Sequence, residues 1–392
     1  MKMTVQSSDL EAVLSAACAV SRSPDPIQII AERVGETVGE GEPDTEERSA
    51  EAGQIRVIAF NENVVSEWRR PAEIRMSGSV AIVPQGLERL VKASKNSDSS
   101  FSLETQDTDN ETSLRLSTSR SAHEFPSVSQ AIFDRIVPGH TDGQRADLAT
   151  LARAVDIARV AAAARGDAAG AKIALTGVHI RRREGLVDVV ATDGKRLALT
   201  NLQEDILGAV NLGSEGEKGV TIPGEALNLL TSMLSAGPAH LEVVENNLVV
   251  EGQDGSVSVR LIAAPYPEYG ILLGIKPEHK ITLPKATLDV ALQRSSVSLA
   301  KDKRTVAVKM SRGADGIYIT SSVAGQSSSE CLSETPGDEI AIGFDAGYMM
   351  AATSVFPRAD VRIHFTDVTT PILVTSSSMP ETTMLVMPCK IN

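Results

Sequence analysis

Two patterns of apolar and polar residues recur along the chain, each once in every third of the sequence. In the first pattern a few extended residues precede a helix whose apolar side chains repeat at spacings of three and four. Leu10, Leu148 and Leu288 are equivalent positions in its three copies, at offsets of 138 and 140 residues. This pattern therefore predicts one amphipathic helix near the start of each third.

In the second pattern a short β-branched strand leads directly into a helix. Its three copies align at Pro84, Pro223 and Phe344, at offsets of 139 and 121 residues. Proline is well tolerated at the first position of a helix, where its missing N–H would be unpaired in any case. Two patterns in the same order in each third predict a triplicated unit. We expect an α+β protein with three repeated domains, each with two helices packed on β-sheets, at residues 1–137, 138–270 and 271–392.

The first predicted domain contains an acidic insertion at about residues 32–53. This segment has many Glu and Gly residues and few large apolar ones. It cannot bury enough apolar surface to hold one conformation, so we expect a surface loop.

Composition and charge exclude several classes of function. A net charge of −13 argues against a protein that coats nucleic acid with its whole surface, although a local basic surface stays possible. Aromatic residues make up only 3%, which disfavours binding of single strands by base stacking. Cys18, Cys331 and Cys389 form no C-x-x-C pair, so neither a zinc site nor a disulfide framework is expected. We expect a cytoplasmic protein without a signal peptide or membrane span.

The stretch with the most concentrated chemistry is residues 191–199, ATDGKRLAL, at the end of a predicted strand. Arg196 offers a planar cation, and Leu197 and Leu199 offer apolar surface beside it. Two interpretations of the stretch by itself stay open, a hairpin turn with a charged tip and a binding site. Asp193 could act as an acid or base beside Lys195, but a carboxylate that accepts backbone N–H bonds of the turn is the favoured role.

No motif predicts catalysis. The six histidines form no H-E-x-x-H pattern, and neither G-x-S-x-G nor G-x-x-x-x-G-K-[ST] occurs. We therefore expect a protein without catalytic residues, cofactor or metal.

The triplicated design, the ATDGKRLAL stretch, the sequence YPEY at 266–269 and the ending VMPCKI at 386–391 together resemble the β sliding clamp family of bacterial DNA polymerase III. The resemblance implies a non-catalytic processivity factor, a head-to-tail homodimer whose six domains close a ring around duplex DNA without reading its sequence. The implied partners are the polymerase III catalytic subunit, the clamp loader and other proteins with a clamp-binding motif, and no membrane or cofactor is implied.

The resemblance also implies a groove that binds a short partner peptide containing Leu and Phe. Its lining residues, matched by motif, are Leu175, Thr192, Gly194, Lys195, Arg196, Leu197, Pro267, Leu272, Tyr348, Leu385, Met387, Pro388, Cys389 and Lys390. Lys195 stands where the family usually has His, Cys389 where Met is common and Lys390 where Arg is common. We therefore expect a changed affinity for the usual partner peptide. For Met387 and the residues after it, an edge strand tucked into the sheet is an alternative that is compatible with the groove.

Basic residues off the apolar strips of the predicted helices are candidates for contact with DNA. Helical periodicity selects Arg89, Lys92, Arg153 and Arg294, and the family resemblance adds Arg22. Ordinary solvated helix surface is the alternative role for each.

The resemblance places Leu114 and Leu116, on a predicted edge strand, and Val297 and Leu299, at a helix end, in the subunit interface, with core burial as the alternative. Two other functions stay open: a clamp paralogue specialised for other partners or another replicon, and a monomeric peptide-binding module that does not encircle DNA.

Overall fold

A computed structural model provides the fold of the chain. It describes residues 1–21, 24–33, 49–94, 97–108, 111–136, 138–141, 143–164, 166, 172–183, 185–203, 210–212, 218–299, 306–323, 326–357 and 359–390. These residues form two compact units, which are described separately. The first unit comprises the described residues within 1–149, 209–213 and 228–261, and the second those within 150–208, 214–227 and 262–392.

Short strands make up most of the regular structure. In chain order the strands are β1 (Lys2–Gln6), β2 (Ile27–Arg33), β3 (Glu51–Phe60), β4 (Val64–Met76), β5 (Gly78–Ile82), β6 (Ser100–Thr108), β7 (Glu111–Ser117), β8 (Ala122–Pro126), β9 (Gly177–Arg183), β10 (Leu186–Thr192), β11 (Arg196–Gln203), β12 (Val210–Asn211), β13 (Val220–Pro223), β14 (His240–Val244), β15 (Asn247–Glu251), β16 (Gly255–Arg260), β17 (His279–Pro284), β18 (Ala307–Gly313), β19 (Gly316–Val323), β20 (Gln326–Ser333), β21 (Ile340–Asp345), β22 (Asp360–Phe365), β23 (Ile372–Ser376) and β24 (Thr382–Val386). The helices are α1 (Ser7–Val20), α2 (Gln85–Ser94), α3 (Ala149–Ala158), α4 (Leu227–Ala236), α5 (Gly270–Leu273), α6 (Lys285–Leu299) and α7 (Ala346–Ser354).

The first unit is built on a 12-stranded sheet. Its main path runs β12-β14-β15-β16-β4-β1-β6-β7-β8, and β2, β3 and β5 extend it beside β4. Helix α1 packs on β3, β4 and α2, and buries Leu10, Val13 and Leu14. Strand β16 pairs antiparallel with β4, so strands from the predicted first and second domains share one sheet.

The second unit contains two sheets. An eight-stranded sheet has the order β13-β9-β10-β11-β24-β23-β22-β17, and a four-stranded sheet has the order β20-β19-β18-β21. Helices α6 and α7 pack on each other, and their buried residues join one core with residues of both sheets. Leu288, Met349, Phe344 and Phe365 are the large side chains at the centre of this core.

All six helices that the two recurring patterns predict are present. The first pattern forms α1, α3 and α6, and the second forms α2, α4 and α7. Leu10, Leu148 and Leu288 are fully buried, as expected for equivalent core positions. The predicted α+β class is therefore confirmed, whereas the domain boundaries at 137 and 270 stay a prediction, since each compact unit contains part of the predicted second domain.

Two expectations about the first domain are wrong in part. Glu32 and Arg33 belong to β2, and residues 51–53 belong to β3, so the ends of the predicted acidic loop are strands. Glu32 is buried because Gln54 donates to its carboxylate at 2.9 Å and Arg56 lies 3.4 Å away, which offsets the cost of burying its charge. The middle of the predicted loop, residues 34–48, lies outside the described residues.

The second correction concerns the edge of the sheet. Strand β7, with Leu114 and Leu116, is paired on both sides, with β6 and with β8, so it is not an edge strand. The edge is β8, the sequence AHEFP, whose five side chains are largely exposed. Alternating apolar positions did not predict this strand, because it mixes polar and apolar residues and ends in a proline.

Candidate partner-binding groove

The tip of the β10–β11 hairpin is held by its own polar side chains. One carboxylate oxygen of Asp193 accepts the backbone N–H groups of Lys195 and Arg196 at 2.8 and 2.9 Å. The Thr192 hydroxyl donates to the carbonyl of Arg196 at 2.6 Å. Gly194 has a φ of +82°, a conformation that residues with a side chain rarely adopt. The prediction that Asp193 stabilises the turn is confirmed.

Two contacts fix the guanidinium group of Arg196 beside this turn. Its Nε donates to the second carboxylate oxygen of Asp193 at 3.0 Å. Its Cζ lies 5.3 Å from the ring centroid of Tyr348, within the range of a cation–π interaction. Tyr348 is in the first turn of α7, where its backbone N–H donates to the side-chain carboxylate of Asp345, the N-cap residue, at 3.0 Å. The structure thus brings together three of the predicted groove residues, Thr192, Arg196 and Tyr348.

The C-terminal segment runs from this hairpin to the four-stranded sheet. Strand β24 pairs with β11, with Leu385 opposite Leu197. Beyond β24, the N–H of Met387 donates to the carbonyl of Lys195, and that of Cys389 to the carbonyl of Gly343, both at 2.8 Å. Pro388 forms an isolated bridge with Phe344. β24 lies between β11 and β23, so it is an inner strand, and the residues after it are tied to backbone on both sides.

An apolar cluster lies beside the hairpin, and we call it the groove cluster. Leu197, Leu272 and Leu385, three predicted groove residues, are members. The other members are not among the predicted lining residues: Val190, Leu199, Tyr269, Tyr266, Leu273 and Leu373. Strand alternation could have added Leu199 to the lining, since it faces the same side of β11 as Leu197 and lies opposite Val190 on β10.

A buried carboxylate holds the segment before α5 against the sheet. Asp188 is fully buried, and its oxygens accept the Tyr269 hydroxyl at 2.8 Å and the Asn201 amide at 2.6 Å. The guanidinium Nε of Arg183 lies 3.5 Å from the same carboxylate. Burial, together with the neighbouring Asp188 charge, raises the pKa of Tyr269, so its hydroxyl stays protonated and donates. This network fixes Tyr269 in the groove cluster.

A second anchor of the same segment is the stacked pair of His179 and Tyr266. Their ring centroids are 4.4 Å apart and their planes differ by 8°. The imidazole Nδ1 lies 2.9 Å from the Thr221 hydroxyl. Burial, and to a lesser extent the charge of Arg181, lowers the pKa of His179 to about 4, so the ring is neutral at pH 7.

Around the buried cluster the rim is exposed. Met387 is 38% exposed and Ile271 is 79% exposed, a high value for an aliphatic side chain. Pro267, Lys195, Gly194 and Lys390 are also exposed, whereas Pro388 and Cys389 are half-buried. Burial raises the pKa of the Cys389 thiol, with a further contribution from Asp345, so it stays neutral. Leu175 is buried in a 3₁₀ turn, Ile173–Thr176, and as far as the described residues define the groove cluster it is not a member. The arrangement offers an apolar floor with a fixed cation beside it.

The predicted DNA-facing residues that the structure describes lie on helices and are not members of the groove cluster. Arg89 and Lys92 on α2, Arg153 on α3 and Arg294 on α6 are all exposed. Lys92 donates to Glu88 at 2.6 Å, a hydrogen bond that raises the pKa of its ammonium, and Arg294 donates to Glu330 at 3.2 Å. Arg22 lies outside the described residues.

Of the four candidates for the subunit interface, the structure describes the side chains of two. Leu114 and Leu116 are buried within the chain itself. Val297 and Leu299 lie in the last turn of α6, and their side chains are outside the described residues.

Within the described residues, no group of three or more His, Cys, Asp or Glu side chains is arranged to hold a metal ion. In the same part of the chain, no helix has the length and apolar character needed to cross a membrane.

Comparison with known proteins places the chain among replication clamps. The model of the central domain of the DNA polymerase III β subunit matches residues 147–268, and that of its C-terminal domain matches residues 272–390. The β sliding clamp of Synechocystis is 24% identical over 369 residues, which cover 88% of this chain and 90% of that protein. The β subunit of DNA polymerase III from Pseudomonas aeruginosa has the same fold, with a TM-score of 0.82 over the whole of both chains and 17% identity. The Helicobacter pylori β clamp, whose structure holds a bound DNA ligase peptide, aligns over both full chains with a TM-score of 0.76 and 17% identity.

The repeated α+β fold and these matches define the class: a DNA sliding clamp, which is a non-catalytic accessory subunit. The prediction that the protein is not an enzyme is thereby confirmed. The chain belongs to the β sliding clamp family, the β subunits of bacterial DNA polymerase III.

Proposed function

We propose that this chain forms a head-to-tail homodimer that closes around duplex DNA and tethers the replicative polymerase to it. Family membership supports this, as do the exposed basic residues Arg89, Lys92, Arg153 and Arg294 on helices of a chain with a net charge of −13. A few cations on an otherwise acidic protein attract phosphates without reading bases, which suits a ring that slides. Arg22 is a further candidate. We place this function in the cytoplasm.

The groove cluster and Arg196 form the proposed peptide site. The observation on which this rests is an apolar floor of buried Leu197 and Leu385 with half-buried Leu272, next to a guanidinium fixed between Asp193 and Tyr348. Leu and Phe side chains of a partner would bury on this floor, where they gain the most from leaving water. The fixed cation would hold a backbone carbonyl or carboxylate of the same peptide.

The proposed partners are proteins with a clamp-binding motif. The Helicobacter pylori clamp holds a peptide of a DNA ligase, and we expect peptides of this kind to bind here too. The polymerase III catalytic subunit and the clamp loader are the expected main partners. In the dimer, Leu114 and Leu116 would support the interface of one subunit, and the end of α6, with Val297 and Leu299, that of the other.

The residues at the rim of the groove would determine which partner peptides it prefers. Lys195 and Lys390 are exposed ammonium groups, and half-buried Cys389 supplies a small wall. A lysine lacks the planar fork of arginine and a cysteine is smaller than a methionine, so selectivity among partner peptides would differ from that of clamps with His, Arg and Met there. This supports a clamp specialised for other partners as the second candidate.

Fluorescence anisotropy with a labelled peptide containing Leu and Phe tests the groove. We expect saturable binding to the full-length protein and at least about a 100-fold weaker affinity for Leu272→Asp, because a carboxylate would stand on the apolar floor. Ile132→Asp, an exposed site in the first unit, is the matched control and should bind as the wild type does. Met387→Asp on the rim provides a second variant if Leu272→Asp fails to fold. Equal affinity for the wild type and Met387→Asp would contradict the proposed site.

A further inference from the structure

A cavity of about 540 Å³ lies on the outer face of the four-stranded sheet. Its floor comes from the row of residues in which Gly343, Lys309, Thr320 and Ser329 face one another across β21, β18, β19 and β20. Val368 and Cys389 are also among its lining residues. Gly343, Thr320 and Ser329, three of these four floor residues, have small side chains.

The chemistry of the cavity differs from that of the groove cluster. Six of its twelve described lining residues are serine or threonine, whereas the groove cluster is apolar. Among the described residues that line the cavity, Lys309 is the single basic one and none is acidic. Within the described part of the chain, Lys309 forms no ion pair. In a protein of net charge −13, Lys309 therefore gives this cavity a local positive charge, which favours a negatively charged ligand.

The cavity adjoins the predicted groove lining through Cys389. This residue belongs to both, and its backbone N–H is fixed to the carbonyl of Gly343 at 2.8 Å. The C-terminal segment thus runs from the groove cluster at Leu385 to the wall of the cavity within four residues. A polypeptide bound in the proposed groove would reach the cavity if it extended past Cys389.

The face carries charges of both signs beyond Lys309. A second cavity, of about 480 Å³, shares Lys309 and Ala341 with the first and lies toward the β18–β19 hairpin. Its lining includes Arg312 as well as the carboxylates of Asp315 and Glu339, so opposite charges stand together there. Lys309, with no acidic neighbour among the described residues that line the first cavity, is the cation that favours an acidic ligand on the side of Cys389.

We propose that the hydroxyl-lined cavity binds an extended acidic segment that flanks the apolar anchors of a partner peptide. The Lys309 ammonium pairs with a carboxylate of that segment, and the Thr320 and Ser329 hydroxyls bond to its backbone or side-chain oxygens. This inference rests on the proposed peptide site and adds a charge requirement to its partners. Partners with an acidic flank are then preferred over partners that present the apolar anchors alone.

The test compares three labelled peptides by fluorescence anisotropy: the anchor segment alone, and the same segment with three Asp residues added at its N-terminal or at its C-terminal end. At low salt we expect one of the two extended peptides to bind about 5- to 10-fold tighter than the anchor segment. Asn residues in place of Asp should remove most of the gain. Lys309→Gln should abolish it and leave the affinity of the anchor segment unchanged, while the control Lys280→Gln, on β17, should retain it.

The outcomes separate the two proposals. Binding of the anchor segment without any gain from either extension, or a gain that persists in Lys309→Gln, would overturn the role of the cavity and leave the groove intact. Failure of all three peptides to bind would overturn the groove, and the cavity proposal with it.

Discussion

The groove and the candidate DNA-facing surface use charge in opposite ways. In the groove, Arg196 is half-buried and fixed between Asp193 and Tyr348, and Asp188 is fully buried under Tyr269. On the helices, basic side chains such as Arg89 and Arg294 are exposed, and Arg294 is 66% exposed even with its Glu330 partner. A fixed, partly dry cation suits recognition of one peptide geometry, whereas exposed cations suit weak contacts with a moving polyphosphate. We therefore expect the binding energy of the proposed groove to be concentrated in a few contacts, and that of the proposed DNA-facing surface to be distributed over many.

The largest expected effect is on the floor of the groove. Leu199→Ala, at a position only 2% exposed, should lower the free energy of unfolding by about 2–5 kcal/mol, since it removes buried methyl groups and leaves a cavity. Urea denaturation followed by circular dichroism measures the change. Val368→Ala, at an aliphatic position 51% exposed, is the control and should change stability by less than about 0.5 kcal/mol. Similar losses of stability in both variants would contradict the claim that the buried floor of the groove contributes far more to stability than an exposed aliphatic side chain does.

A pH effect of slightly smaller size is expected at His179, which stacks on Tyr266. The pKa of His179 is lowered from 6.5 to about 4 in the folded chain, so the unfolded chain binds more protons between these values. Stability should therefore fall as the pH is lowered from about 6.5 to about 4, by at most about 3 kcal/mol from this residue.

Urea denaturation across this pH range, on the wild type and on His179→Gln, measures the contribution. The variant should show a shallower loss of stability toward pH 4. Parallel curves for the two proteins would mean that the histidine is not buried in its neutral form.

A third, smaller effect is expected from the hydroxyl of Tyr269. Tyr269→Phe removes one of the hydrogen bonds to buried Asp188 and should cost about 1–2 kcal/mol of stability, with a weaker peptide affinity because Tyr269 loses its fixed position. Tyr318→Phe is the matched control, since that hydroxyl donates to the carbonyl of Asp315 at an exposed site. A loss in Tyr318→Phe as large as that in Tyr269→Phe would remove the distinction between the two sites.

The smallest effect is expected on the helices. Arg153→Ala alone should change stability by less than about 0.5 kcal/mol and leave peptide affinity unchanged. Its effect should appear in the salt dependence of DNA binding, where each lost phosphate contact reduces the slope of log K against log salt by about 0.9. The triple variant Arg89→Ala, Arg153→Ala and Arg294→Ala should reduce this slope by the sum of the three single changes. A complete loss of DNA binding in one single variant would contradict distributed contacts.

Local chemistry made part of this structure predictable from the sequence. The turn at Asp193 was predictable because its hydrogen bonds reach only two or three residues along the chain. Helices α1 and α6 follow from apolar spacing in the same way. The bond between Tyr269 and Asp188 joins residues 81 positions apart, and no local pattern indicates which buried carboxylate a tyrosine reaches. Glu32 was misjudged for a related reason, because its charge indicates a loop until Arg56 and Gln54, on the next strand, are known to meet it.

The ring is the central claim, and the solution mass of the purified full-length chain tests it most directly. Multi-angle light scattering over a dilution series should give twice the mass of the 41.5 kDa chain, with dissociation only at low concentration. Such a mass would support a closed dimer able to encircle duplex DNA. A mass equal to one chain at every concentration would contradict the encircling mechanism, and the groove would then belong to a monomeric peptide-binding protein.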